Sequence, residues 1–372
     1  MEHALQNDAS LKADRELLRQ YFLQKESIKL WENPELSLTY SNTKPDGSER
    51  KNEYGIAVIQ SIQKPSLRSA KQRIVDAKIV QLNALIAQKE NDIKGNVRQK
   101  GYLYVMACRI SEKAEASLLL AITLRQKGEK RFEQGAISKA DLLKLKVEEE
   151  KIAQEAKTAL MRRENALQSL SESGRFTSSI ALLEMTLPEP SYTATEIHLE
   201  ALPMLAYYRG VDEEYRAEKE VAIASVIPGF KAGLGYQEMY DQHSVIASLS
   251  MPIPILHRNE PFINSAQSKR DENKLREEAY RYEITQKTVR QHQILKSLSM
   301  LILSQQQSIL QAKKMESMAQ KSYEEGYGTL LELIDARRVL LSNQKELYQT
   351  FENYYDTLGE IQKILPPIED LK

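Results

Sequence analysis

Apolar and polar residues alternate strictly along Glu35-Leu36-Ser37-Leu38-Thr39-Tyr40-Ser41, the period of a strand with one greasy and one wet face. Tyr54-Gly55-Ile56-Ala57-Val58-Ile59-Gln60 alternates larger with smaller side chains at first and predicts the return strand of a hairpin, turned at Lys44-Pro45-Asp46-Gly47 and ended by Pro65. A second hairpin is predicted from Phe230-Lys231-Ala232-Gly233-Leu234-Gly235-Tyr236 and Ser244-Val245-Ile246-Ala247-Ser248-Leu249-Ser250-Met251, closed by Pro252 and Pro254. A helix is expected ahead of each hairpin, from about Asp8 to Trp31 with Asn33-Pro34 as its stop, and from about Thr195 to Ala224 before Pro228.

Behind each hairpin the period changes. From Leu67 to Lys127 there is no proline and helix formers dominate, which predicts a helix of about sixty residues and roughly 90 Å. Gly128 and Gly135 bracket the expected turn, and a second long helix runs from Ser138 to Leu170 with Leu145, Ile152, Ala159 and Ala166 at heptad spacing. Ser171 to Ser179 and Pro188-Glu189-Pro190 interrupt the pattern. After the second hairpin another helix of about sixty residues descends to Gly326 and Gly328. The closing helix repeats Leu333, Leu340, Leu347, Tyr354 and Ile361, flanked by Ile334, Leu341, Tyr348 and Tyr355, so its apolar face is wide enough for more than one neighbour.

The two halves are copies. Tyr323-Glu324-Glu325-Gly326-Tyr327-Gly328-Thr329-Leu330-Leu331-Glu332-Leu333-Ile334-Asp335 aligns with Phe132-Glu133-Gln134-Gly135-Ala136-Ile137-Ser138-Lys139-Ala140-Asp141-Leu142-Leu143-Lys144 at aromatic, glycine, hydroxyl, acid and aliphatic positions. The reading is a mainly α chain with short β hairpins and a duplicated plan of helix, β-hairpin and long helical hairpin. Residues 1–190 form the first repeat (hairpin 35–62, helical hairpin 67–186) and 191–372 the second (hairpin 230–252, helical hairpin 258–365).

Composition supports long solvated helices, with 28% charged residues and a mean hydropathy of -0.51. Lys plus Arg equals Asp plus Glu at 52 each, so no basic surplus favours nucleic acid. No run of about 18 apolar residues exists, which excludes a transmembrane helix and says nothing about strands. Met1-Glu2-His3-Ala4-Leu5-Gln6-Asn7 shows neither a charged nor an apolar leader region, so no secretory signal is visible. The lone Cys108 excludes an intrachain disulfide. His3, His198, His243, His257 and His292 lack ligand spacing, and Met315 with Met318 reads as helix packing, so no metal or cofactor is expected. The chain shows no phosphate-binding glycine loop and no nucleophile motif, so it is not expected to be an enzyme.

An isolated hairpin is marginal in water, and in lipid its open edges cost several kcal/mol per unpaired group. Four strands fall short of the roughly eight of the smallest membrane barrels, so several chains would have to close the sheet. Short soluble hairpins capping a coiled coil are the plain alternative.

The order of elements and the stretch Tyr323 to Arg338 resemble the outer-membrane efflux proteins of the TolC type, as do Pro34 and Pro228 before the first strand of each half and the exits at Pro65 and Pro252-Ile253-Pro254. Asn33-Pro34-Glu35-Leu36 and the short halves lean toward the subgroup serving heavy-metal cation pumps. The resemblance implies a homotrimer, a trimeric α-barrel continuous with a twelve-stranded outer-membrane β-barrel. It also implies outer-membrane lipid, a periplasmic adaptor protein and an inner-membrane pump as partners, and passive export with no chemistry of its own. By the same resemblance the turns Gly135-Ala136-Ile137-Ser138 and Gly326-Tyr327-Gly328-Thr329 meet the adaptor, Glu332 and Asp335 narrow a cation-attracting pore, and Tyr323 with Asp141 forms a gate link. An arginine that adds a second link in that family's best-known member is matched by Gly328.

Each of these sites also has a plainer reading. Glu332 and Asp335 read equally as solvated helix charges, Tyr323 and Phe132 as core aromatics beside a turn, and Gly135 and Gly326 as helix ends that need left-handed geometry. The rival for the whole chain is a soluble coiled-coil scaffold in the cytoplasm.

Overall fold

The computed structural model describes residues 1–44, 51–176, 187–190, 199–239, 242–256 and 258–365. Its elements in chain order are α1 (Glu2–Asn7), α2 (Ala9–Lys29), β1 (Glu35–Thr43), β2 (Lys51–Gln63), α3 (Pro65–Glu133), α4 (Lys139–Gly174), a 3-10 turn (Leu199–Ala201), α5 (Pro203–Ala224), β3 (Gly229–Met239), β4 (Gln242–Ser250), α6 (Glu260–Glu325) and α7 (Leu330–Ile364). Helix, hairpin and long helical hairpin thus occur twice, in the expected order. Pro45-Asp46-Gly47 of the first expected turn and the start of the helix expected from Thr195 lie outside the described residues.

Several boundaries differ from the sequence reading for local reasons. Gly128 does not begin a turn; it lies inside α3, and a Cβ there would fall 2.3 Å from Leu145 Cδ1, so it lets α4 pack close. Pro65 opens α3 as well as ending the strand, because the first helical position needs no N–H. Leu170 is not the end of α4, which continues to Gly174 and stops where Arg175 turns left-handed at φ 55°. The helix before β1 is split at Asp8, whose carboxylate accepts from Leu11 N–H at 2.9 Å and caps α2; that bond holds the acid below its ordinary value. In the second half α5 begins at Pro203 after a 3-10 turn.

The chain divides into two compact units, each drawing on both repeats. The helical unit comprises Met1–Leu11, Lys89–Ile197 and Glu283–Lys372. Its larger core joins Tyr102 and Met106 of α3, Leu295, Ile302 and Ile309 of α6, and Leu347, Tyr354, Tyr355 and Ile361 of α7. Both the heptad column and its flanking column are represented there, with Leu340 and Tyr348 packed against them, so α7 does use its wide face on two neighbours. Burial pushes the Tyr355 phenol up to about 12, and its hydroxyl donates to Pro188 O at 2.9 Å.

The sheet unit comprises Lys12–Gln88 and His198–Tyr282. Its strands form one antiparallel sheet in the order β1-β2-β3-β4. The two hairpins are therefore not separate: β2 and β3, one from each repeat, pair from Tyr54↔Glu238 to Gln63↔Gly229. That leaves two outer edges, those of β1 and β4. Behind the sheet, α5 is tied to the first part of α6 by the bidentate pair Arg270–Asp212 at 2.7 and 2.9 Å and by Asn273 donating to Tyr208 O at 3.0 Å.

Candidate functional site

The register sorts the sheet into two unlike faces. Leu36, Leu38 and Tyr40 stand opposite Val58, Ile56 and Tyr54, which in turn face Leu234, Tyr236 and Glu238 across β3. These apolar side chains project outward and are exposed, Leu38 at 70% and Leu234 at 67%, with Val245 and Leu249 of β4 continuing the face. The opposite face carries Ser37, Thr39, Gly55, Ala57, Gly233, Gly235 and Ser248, with Ile59 and Ile246 as its large apolar side chains. It is the crowded one: a Cβ at Gly55 would meet Thr39 Oγ1 at 2.3 Å, and one at Gly235 would meet Ala57 Cβ at 2.9 Å. An apolar exposed face, a small and polar face, and two open edges together leave hydrogen-bonding and hydrophobic capacity unmet within one chain.

The helical unit holds the two duplicated turns. At the end of α3, Ala136 N–H bonds Arg131 O at 2.8 Å and Gly135 N–H bonds Phe132 O at 2.9 Å, with Gly135 at φ 71°. At the end of α6, Tyr327 N–H bonds Ser322 O at 2.9 Å and Gly326 N–H bonds Tyr323 O at 3.3 Å, with Gly326 at φ 84°. Both are Schellman closures, which a left-handed residue makes possible and glycine makes without strain. The next helix is capped in each case. The Ser138 hydroxyl accepts from Asp141 N–H at 3.1 Å and donates to its carboxylate at 2.7 Å, whereas Thr329 and Glu332 form a reciprocal capping box at 3.2 and 2.9 Å.

Capping gives the aligned acids Asp141 and Glu332 a structural task. The Ser138 hydroxyl, helped by Lys144, holds the Asp141 carboxyl below its ordinary value. Asp335 is exposed on the same side of α7 as Glu332, with buried Leu333 and Ile334 between them, and it lies near enough to Arg338 to support that guanidinium's charge. Arg338 itself donates to Glu148 of α4 at 2.7 Å. Tyr323 is buried among Leu145, Leu330, Leu333 and Ile334.

The expected partners Tyr323 and Asp141 are engaged elsewhere in the chain. Arg131 lies over the Tyr323 ring at 4.5 Å and donates to its carbonyl at 3.4 Å, while Lys127 pairs with Glu324 at 3.4 Å. The Gln320 amide and Lys127 hold the Glu324 carboxyl low. Sequence reading missed Lys127 and Arg131, although their spacing of four, at a helix C-terminus that favours cations, was the available signal. Gly328 has a reason of its own: its N–H also bonds Ser322 O at 2.9 Å, and a Cβ there would lie 2.9 to 3.2 Å from Ser322 and the Tyr323 nitrogen. A side chain at that position would strike the end of α6.

Of the remaining turn residues, Gly135, Ala136, Ser138, Gly326, Tyr327 and Thr329 are exposed, Tyr327 at 88%, and Ile137 is half-buried. Among the described residues there is no group of three or more His, Cys, Asp or Glu side chains placed to hold a metal ion, and no helix long and apolar enough to cross a membrane.

Residues 215–365 match the family model described as outer membrane efflux protein. No curated protein matches the chain. Among solved structures it is similar to a membrane protein from Pseudomonas aeruginosa, with TM-score 0.78 and 15% identity over 98% of this chain and 91% of that one. It is also similar to the outer membrane protein VceC from Vibrio cholerae, with TM-score 0.76 and 16% identity over 98% and 94%. The MtrE outer membrane channel of Neisseria gonorrhoeae, solved in its open state, gives TM-score 0.75 and 13% identity over 98% and 87%. The chain therefore has the fold of these membrane proteins along nearly its whole length, and its residues 215–365 carry the sequence pattern of the outer membrane efflux proteins.

Proposed function

We propose that this protein is a passive outer-membrane export duct built from three copies of the chain. The observation that carries the reading is the sheet: four strands, with a broad apolar face on one side, mostly small and polar residues on the other, and the edges of β1 and β4 open. Joining β4 of one copy to β1 of the next, three times over, closes twelve strands into a barrel with no edge, its apolar face in lipid and its small face toward the lumen. The long paired helices continue that lumen as a trimeric α-barrel. A cytoplasmic coiled-coil scaffold has no use for an exposed apolar sheet face, and nothing in the fold or the comparisons supports it.

Such a duct carries no energy source, so an inner-membrane pump and a periplasmic adaptor drive and couple it, the adaptor meeting the exposed turns at Gly135 to Ser138 and Gly326 to Thr329. Cargo is chosen by the pump; metal cations are the class favoured by the resemblance around Asn33-Pro34-Glu35-Leu36. Six carboxylates from Glu332 and Asp335 would ring the axis and favour cations. Purified protein should sediment in detergent as a trimer and give discrete cation-preferring conductance steps in planar bilayers. A well-folded monomer without conductance overturns the duct. Replacing Glu332 and Asp335 together by alanine should lower the cation preference, and an unchanged reversal potential removes both from the pore.

A further inference from the structure

On the barrel reading just given, the apolar face of the sheet is too short for its membrane. From Tyr54 to Ile62 on β2 the face extends about 27 Å along the strand at about 3.4 Å per residue, or about 20 Å across a bilayer at a tilt of about 40°. The apolar band of outer-membrane barrels is about 25 Å tall. The far end of the face cannot supply the difference, because the row of Tyr40 and Tyr54 already continues into Glu238 and His243, and the next row is Asn42 and Asn52. The missing height belongs at the other end, where β1 begins, β2 ends, β3 begins and β4 ends.

At that end the connecting segments are apolar and bare. Leu30 and Trp31 precede β1, and Met251, Ile253, Ile255 and Leu256 follow β4; all six are exposed, Leu256 at 95% and Ile255 at 80%. The second segment has few backbone donors left to satisfy. Pro252 and Pro254 have no N–H, and Ile255 N–H is bonded to Ile253 O at 2.9 Å. Arg68 lies over the Trp31 ring at 5.0 Å, and its Nε is buried without a hydrogen-bond partner among the described residues. An aromatic ring with a guanidinium on it at the β1 edge of the sheet, and an apolar stretch depleted in N–H groups at the β4 edge, suit the boundary where acyl chains meet headgroups.

We propose that Leu30-Trp31 and Met251–Leu256 form an interfacial belt that enters the leaflet at the end of the barrel where α3 begins and completes its apolar band. Trp31 is the only tryptophan in the chain, so the native protein carries its own reporter. Reconstituted in phosphatidylcholine vesicles brominated on the acyl chains near the glycerol, it should lose about half its emission relative to unbrominated vesicles, as expected for a ring at the interface. Moving the reporter with Trp31→Phe and Leu256→Trp should preserve the loss, whereas Trp31→Phe with Tyr327→Trp should be quenched by aqueous iodide alone.

Emission from Trp31 that iodide quenches and bromine does not, in protein that remains in the vesicles, overturns the belt and leaves the barrel standing. Emission that neither reagent touches also overturns it, in favour of a cover provided by a neighbouring copy. Bromine quenching at Tyr327→Trp as well would mean adsorption of the whole molecule and would equally overturn it. Failure of folded protein to enter vesicles at all counts against the barrel itself.

Discussion

The turn at Gly135 and the turn at Gly326 are closed by the same bonds and capped by the same kinds of residue, yet the side chains packed around them differ. Tyr323 is buried where its counterpart Phe132 is exposed, and Ile334 is 4% exposed where Leu143 is 53% exposed. Duplication has preserved the backbone of the turn, which a left-handed glycine and a capping hydroxyl determine locally. Packing has been left to diverge, and only the second copy, with Leu145 inserted from α4, gathers a cluster of its own. The second turn therefore holds the helical unit together in addition to ending a helix, while the first mainly ends one.

Truncating the aligned aliphatics breaks or sharpens this contrast most strongly. Ile334→Ala removes a buried side chain and should cost about 2–5 kcal/mol, whereas Leu143→Ala should stay within about 0.5 kcal/mol, as exposed positions do. Thermal unfolding of detergent-purified protein followed by circular dichroism measures both. Equal losses would mean that the two turns are packed alike, or that another copy buries Leu143.

The glycines come next. Nothing lies within 4 Å of a Cβ at Gly135 or at Gly326, so alanine at either meets only the left-handed backbone cost, about 1–2 kcal/mol in each turn. Gly328→Ala adds contact with the Ser322 backbone and should cost more than Gly326→Ala in the same melting experiment. The reverse order would show that the loop relaxes around a side chain at this position.

Much of this was legible in the sequence because it is local. Strand alternation, the positions of Gly135 and Gly326, the hydroxyls Ser138 and Thr329 and the heptad column of α7 each follow from a period or a backbone requirement within a few residues. Pairing of β2 with β3 was not legible, since it joins residues from different repeats and nothing in either strand names its neighbour. Gly128 misled because a glycine that ends a helix and one that lets another helix approach look the same without Leu145 in view. Of the aligned acids, Glu332 was assigned to the pore and Asp141 to a gate link, while their bonds to Thr329 and Ser138 depend on short-range geometry; a capping-box reading of Thr329-x-x-Glu332 would have found the first.

The caps give the finest test of the comparison. Ser138→Ala and Thr329→Ala should each cost about 1 kcal/mol, the usual worth of an N-cap oxygen. The two caps differ in how Ser138 also donates to the Asp141 carboxylate, and this lowers that acid below its ordinary value of 3.8. A carboxyl whose folded pKa is depressed stabilises the native state fully above its unfolded value and loses that contribution as the pH falls through the folded one. Stability should therefore drop in acid partly through Asp141, and Asp141→Asn should flatten that portion of the limb below about pH 4 while shifting the neutral plateau down. The effect is small because the group is partly exposed and screened by solvent. An acid limb in Asp141→Asn parallel to that of the parent protein would show that the Ser138 bond is not maintained in solution, and that the first turn, like its side chains, has been released from the constraints that still act on the second.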